Sequence, residues 1–186
     1  MTVQDTLKDA EQKMRGAVSV TQDELGSIRT GRANPKLLDR LHVDYYGAQV
    51  GLNQLASFSV PEPRLLVVQP FDRGAIGSIE KAILASDLGL TPSNDGNVIR
   101  LAFPTLTEDR RRDLIKLAKD RAEEGRVAVR NVRRDAIKHL EELVKNGSVG
   151  DDEERAAEGR VQKLTDEHVA KIDDLLKRKE AEIMEV

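Results

Sequence analysis

The chain has 186 residues, 34% of them charged, 39% hydrophobic and 3% aromatic, with no cysteine or tryptophan; this length suits one sizeable domain or two small ones, and the lack of thiols excludes disulfide frameworks, thiolate zinc sites and cysteine nucleophiles. Thirty Lys and Arg against 33 Asp and Glu give a net charge of −3, so affinity for a polyanion would need local clustering of basic residues. Uninterrupted aliphatic runs reach only four residues, as at 65–68, against the roughly 20 that span a bilayer, and charged residues interrupt the N-terminal stretch where a signal peptide would be apolar; a cytoplasmic chain rich in charged helix, with no membrane partner, is expected.

From residue 2 to 29, apolar positions recur in steps of four and three at Val3, Leu7, Ala10, Met14, Ala17, Thr21 through its methyl, Leu25 and Ile28. The spacing predicts a first helix with one narrow seam, about 42 Å long. It stops at Thr30 and Gly31, and Asn34-Pro35 then has the chemistry of a cap and a first-turn proline.

Residues 36–104 lose the seam and gain β-character. Period-two alternation over residues 41–45 predicts a strand, with Tyr46-Gly47 as its turn. Residues 57–60 and 64–69 are short strand-like runs bounded by Pro61, Pro63 and Pro70, and Ile76, Ile79, Ala82 and Ile83 have helical spacing. Asn94-Asp95-Gly96-Asn97 is a strong hairpin signal leading into residues 98–102.

After Pro104 the seam returns. Thr105 or Thr107, followed by Glu108 and Asp109, opens a second helix whose stripe runs through Leu114, Ala118, Ala122, Gly125, Val129, Val132, Ala136, Leu140 and Leu143, until Asn146-Gly147 ends it. An acidic cluster at 151–154 opens a third, with Ala157, Val161, Leu164, Ile172, Leu175 and Ile183 on its stripe. The fold class expected is α+β with two domains: a long three-helix bundle from residues 1–29 and 106–186, and a small β/α/β domain, residues 30–105, inserted between helices one and two. The crossings at Thr30, Gly31, Phe103, Pro104 and Thr105 are expected to form a hinge.

The charge is unevenly placed. Between residues 110 and 138 there are 11 basic and 5 acidic residues. At about 100° per residue, Arg112, Lys116, Lys119, Arg126, Arg130, Arg133 and Arg134 share an arc of roughly 100° beside the apolar seam. Four of the nine residues 126–134 are arginine and none is lysine; guanidinium forks bind phosphate bidentately, which favours RNA as the partner. The competing reading is a solvated face that pairs with the acidic third helix. Catalytic signatures are missing: there is no GxxxxGK[ST], GxSxG or HExxH, and His42, His139 and His168 are far apart in sequence, with His168 on an inner stripe. No enzyme activity, metal or cofactor is expected.

The stretch IRTGRANPKLLDRLHVDYYGAQ at residues 28–49 resembles the hinge and first strand of ribosome recycling factors. SVPEPRLLVVQPFDRGAIGSIEKAI at 59–83, RVAVRNVRRDA at 126–136, QKLTD at 162–166 and the terminal KEAEIMEV resemble the same family in the same order. One departure is Gly150, where relatives commonly have Ser before the acidic run. The resemblance implies an L-shaped molecule that binds the large ribosomal subunit after termination and, with elongation factor G hydrolysing GTP, separates the subunits. It also implies ribosomal-RNA contacts at Arg29, Arg32, Arg130 and Arg133, and a monomer without bound nucleotide. A coiled-coil adaptor or chaperone without RNA binding would share the three helices but would not need the arginine-dense stripe. A hydrolase housed in the insert would need a nucleophile that the sequence does not identify.

Overall fold

The computed structural model describes residues 1–185. The chain divides into two compact units, one made of Met1–Thr30 and the chain from Thr107 onward, the other of Gly31–Leu106.

The first unit holds three long helices packed pairwise against one another. Helix α1 spans Val3–Gly26 and starts in a reciprocal capping box: the Asp5 amide donates to Thr2 Oγ1 at 3.1 Å, and the Thr2 amide donates to Asp5 Oδ2 at 2.9 Å. It ends three residues before the expected Arg29. The Ser27 hydroxyl donates to the Glu24 carbonyl at 2.7 Å, and the Ile28 amide bonds only three residues back, to Leu25 O at 3.2 Å. That last turn keeps Ile28 buried on the seam although the helix has finished.

The second unit is built around a four-stranded sheet. Strand β1 (His42–Tyr45) pairs with β2 (Ala48–Gly51) in a separate hairpin through Tyr46 and Gly47, both at positive φ. A single helical turn, α2 (Leu52–Leu55), leads into β3 (Ala56–Glu62) and β4 (Leu65–Pro70). Helix α3 (Ile76–Leu84) follows, then β5 (Pro92–Asn94) and β6 (Ile99–Ala102). The order is β3-β4-β6-β5 with antiparallel ladders. The register sets Leu66 opposite Leu101 and Val68 opposite Ile99; all four are fully buried and form one core with Ile79 and Ile83 of α3. The segment was expected to hold strands at the positions of β1, β3, β4 and β6, but β2 was not anticipated, because Ala48 and Gln49 are exposed and the strand shows no alternation.

Helix α4 (Glu108–Lys145) is capped by Thr107, whose Oγ1 accepts the Arg110 amide at 3.1 Å. Helix α5 (Asp151–Met184) starts from Gly150 with no side-chain cap; its four first-turn acids complement the helix dipole instead. The bundle interior is layered by Leu7, Ala10, Leu140 and Val161 towards one end and by Met14, Ala122, Val129 and Ile172 further along.

Candidate nucleic-acid interface

The seven basic residues read as one stripe lie on α4, but their position within the arc decides what each can do. On the helical projection, Arg126 and Arg133 occupy the edge next to the apolar seam, Arg112, Lys119 and Arg130 the middle, and Lys116 and Arg134 the edge farthest from it. Helix α5 packs along the seam edge. Arg126, 19% exposed at its side chain, donates from Nε to Asp173 Oδ1 of α5 at 2.7 Å and from Nη1 to Glu123 Oε2 at 2.9 Å. Burial works against the Arg126 charge, but the bonds to Asp173 and Glu123 outweigh it and hold the guanidinium above its ordinary pKa. The hydrogen bond from Arg126 is likewise the main reason the Glu123 carboxyl titrates below its usual range.

Arg133, half-buried beside Arg126 on the same edge, makes no ion pair among the described residues. Its Nη1 donates to the neutral amide oxygen of Gln162 on α5 at 2.9 Å. Arg130, 48% exposed, reaches among the described residues only Glu123 Oε1, at 3.3 Å. Arg112 pairs with Glu108 one turn back at 2.8 Å on open surface. Lys116, Lys119 and Arg134 are exposed, and among the described residues none of them forms an ion pair or side-chain hydrogen bond. The stripe therefore separates into one arginine fully committed to carboxylates and a row of cations whose charge is weakly compensated or free. A row of that kind along 23 residues of rigid helix can follow a phosphate backbone.

Arg29 is exposed on the segment after α1 and belongs to the helical unit, whereas Arg32 is exposed in the sheet unit. Between them, Thr30 is buried in the helical unit. Its hydroxyl donates to Glu182 Oε1 of α5 at 2.9 Å, and Glu182 pairs through Oε2 with Lys179 at 3.4 Å. Gly31 has φ +74, and a β-carbon there would lie 3.3 Å from the Pro104 carbonyl oxygen and 3.5 Å from Leu106 Cγ, so the two crossings run side by side within the sheet unit. Pro104 O also accepts Arg64 Nη1 at 3.2 Å, and the Phe103 amide donates to Arg64 O at 2.8 Å. Thr105 is exposed. His168 is 2% exposed, with Nδ1 2.6 Å from Leu164 O, as its place on the inner stripe suggested. Among the described residues no group of three or more His, Cys, Asp or Glu could hold a metal ion, and no helix is long and apolar enough to cross a membrane.

The family model for ribosome recycling factor matches residues 21–184, most of both units. The chain belongs to the ribosome recycling factor family. It is 58% identical to the ribosome-recycling factor of Bacillus subtilis over 182 residues, 98% of each chain. Among solved structures, it resembles the solution structure of a ribosome recycling factor at 44% identity, with a TM-score of 0.71 and 100% of this chain and 99% of the other covered. It also resembles, at 48% identity with a TM-score of 0.63 and full coverage of both, the T. thermophilus ribosome recycling factor in models with E. coli elongation factor G bound to the E. coli post-termination complex.

In this recycling-factor chain, apart from Glu123 on α4 itself, the residues that sort the stripe lie on the partner helix and were not singled out from sequence. Gln162, Asp166 and Asp173 fall within about 40° of one another on α5 at about 100° per residue. Projecting α5 together with α4 would have shown a polar flank facing Arg126 and Arg133. Lys179 and Glu182 gave no comparable signal, because a lysine on a charged helix reads as solvated.

Proposed function

We propose that this chain acts in the cytoplasm as a monomeric ribosome recycling factor. After termination it binds the large ribosomal subunit through the weakly compensated cations of α4 and, together with elongation factor G and its GTP hydrolysis, separates the subunits. In this reading the chain catalyses no reaction itself and needs no cofactor; the GTP chemistry belongs to the elongation factor. Full-length likeness to recycling factors carries the assignment, and the arrangement of Lys116, Lys119, Arg130 and Arg134 supports ribosomal RNA as what the helical unit touches. Arg29 and Arg32, exposed on either side of Thr30 and Gly31 in sequence, are proposed as further RNA contacts.

The two crossings are proposed to act as a hinge, with the pivots at the Thr30–Gly31 and Leu106–Thr107 junctions. The residues on each side are tied to their own unit, by Glu182 and the α4 cap on one side and by the Gly31, Pro104 and Arg64 contacts on the other. Separate rotational correlation times for the two units in NMR relaxation support the hinge; a single rigid-body tumbling time refutes it.

Pelleting with ribosomes at two salt concentrations tests the assignment. RNA contact by several cations requires affinity to fall steeply with salt. A helical adaptor that meets ribosomal protein through apolar or mixed surface would bind with little salt dependence, and that result would overturn the RNA reading.

A further inference from the structure

Arg126 and Arg133 occupy equivalent places on α4, two turns apart on the edge that meets α5, yet α5 receives them with different chemistry. Arg126 is met by the carboxylate of Asp173, with Glu123 closing on its other side. Arg133 is met by a neutral amide: Gln162 Oε1 accepts Nη1 at 2.9 Å, and Gln162 Nε2 in turn donates to Asp166 Oδ1 at 2.8 Å. The second bond settles the amide's orientation. A carboxylate accepts and does not donate, so Asp166 takes the NH2 end and leaves the oxygen for the guanidinium.

This difference matters for a polyanion contact. An arginine already paired with a carboxylate must give up that partner, or share its charge, before it gains from a phosphate; an arginine held by an amide is fixed in place and keeps its full positive charge. Arg133 is further immobilised by its half-buried stem, with Nε buried and unpaired, and its Nη2 has no partner among the described residues.

We infer that Gln162 is a positioning residue for ribosome binding: oriented by Asp166, it pre-sets the Arg133 guanidinium for a phosphate without neutralising it. This rests on the proposed RNA-binding role of α4, and the experiment separates the two.

The affinity of the full chain for purified large ribosomal subunits is measured across a salt series, alongside thermal melting, for the unsubstituted protein, Arg133→Ala, Gln162→Glu, Gln162→Ala and the double variant Arg133→Ala/Gln162→Glu. Gln162→Glu turns the neutral acceptor into an ion-pair partner. The expected result is an affinity loss on the order of tenfold and a log-affinity against log-salt slope shallower by roughly 0.7–0.9, the contribution of about one phosphate. Its melting temperature should change little, because the new pair with Arg133 is offset by repulsion from Asp166, which loses the Gln162 Nε2 donor. Gln162→Ala keeps every charge, so its slope should match the unsubstituted protein while affinity falls about 2- to 10-fold from lost pre-organisation. In the Arg133→Ala background, Gln162→Glu should add nothing.

If Arg133→Ala weakens binding but Gln162→Glu does not, the positioning role is overturned and the RNA reading of α4 survives. If Gln162→Glu weakens binding equally with and without Arg133, its effect is general charge repulsion and the inference again fails. If Arg133→Ala itself binds as tightly as the unsubstituted protein and with the same slope, the RNA role of Arg133 falls, and the role of Gln162 falls with it.

Discussion

Gly125 of α4 and Thr21 of α1 meet where no larger residue would fit on α4: a β-carbon on Gly125 would overlap the Thr21 hydroxyl and lie 3.2 Å from Thr21 Cβ and from Ile172 Cδ1 of α5. The hydroxyl cannot easily turn aside, because it donates to Ala17 O of its own helix at 2.9 Å. Glycine inside a helix costs about 1 kcal/mol relative to alanine, so α4 gives up intrinsic helicity for close approach of all three helices at this layer. Gly125→Ala recovers that propensity but forces overpacking, typically about 1–3 kcal/mol. The expected net result is a lower melting temperature, with part of the loss recovered in Thr21→Ala/Gly125→Ala, where the obstructing hydroxyl is gone. A single variant that melts higher than the parent would show that the helices can move apart at little cost.

The seam containing these two residues was legible in the sequence because steps of three and four encode a buried stripe whatever packs against it. The same spacing identified Gly125 as an interior position and His168 as a core histidine. What one helix cannot reveal is which neighbour lines each flank of its stripe. Arg126 and Arg130 stand one four-residue step apart on one face, yet the first ties to Asp173 of α5 and the second reaches Glu123 of its own helix, because α5 lies along only one edge. In the sheet unit the hairpin at Asp95-Gly96 was plain from its turn chemistry. Strand β2 was hidden because its half-exposed residues owe their conformation to pairing with β1 and not to a pattern of their own. Lys179 was hidden for a third reason: a long aliphatic stem allows a charged residue to be buried within a bundle.

In the β5–β6 turn, the Asp95 carboxylate accepts amides from Val98 and Asn97, each at 2.9 Å, and Arg100 Nη1 at 2.8 Å. These bonds, the Val98 amide first, lower its pKa to about 2. An unfolded aspartate titrates near 3.9. A folded value below the unfolded one means that the stabilisation is complete above about pH 4 and is lost as pH falls towards 2. Asp95→Asn should therefore speed hydrogen exchange of the β6 amides at neutral pH, and the difference from the parent should narrow steadily below pH 4. NMR titration of the Asp95 carboxyl carbon should give a midpoint near 2; a midpoint near 4 would remove the basis of the prediction.

At the start of the first crossing, Lys179 is 8% exposed at its side chain, and its carboxylate partner Glu182 is 31% exposed and also accepts the Thr30 hydroxyl. Removing either partner should not cost the same. Glu182→Ala leaves a buried ammonium unpaired and frees Thr30, whereas Lys179→Met replaces the charge with an apolar chain of similar length and leaves a carboxylate that water can reach. Glu182→Ala should lower stability by about 1–3 kcal/mol, Lys179→Met by much less, and the double variant should recover most of the loss. Equal losses in the two single variants would mean that the ammonium is already hydrated.

The final prediction separates the two kinds of arginine on α4. Arg126 bridges to α5 with its side chain 19% exposed, so Arg126→Met should remove an inter-helix tie on the order of 1 kcal/mol and lower the melting temperature by about 2–4 °C. Its loss should leave the salt slope of ribosome binding as it was, because its charge is already matched by Asp173 and Glu123. Arg130 should behave in the opposite way. Its ion pair with Glu123 is long and on open surface, so Arg130→Ala should hardly move the melting temperature, whereas losing about one phosphate contact should make the salt slope shallower by roughly 0.7–0.9. Melting and salt-series binding on the two variants decide the matter together. If Arg126→Met flattens the slope and Arg130→Ala does not, the intraprotein pairs at Arg126 are displaced on the ribosome and the division of the stripe drawn from the free protein is wrong. If neither slope changes, α4 meets the ribosome on another face.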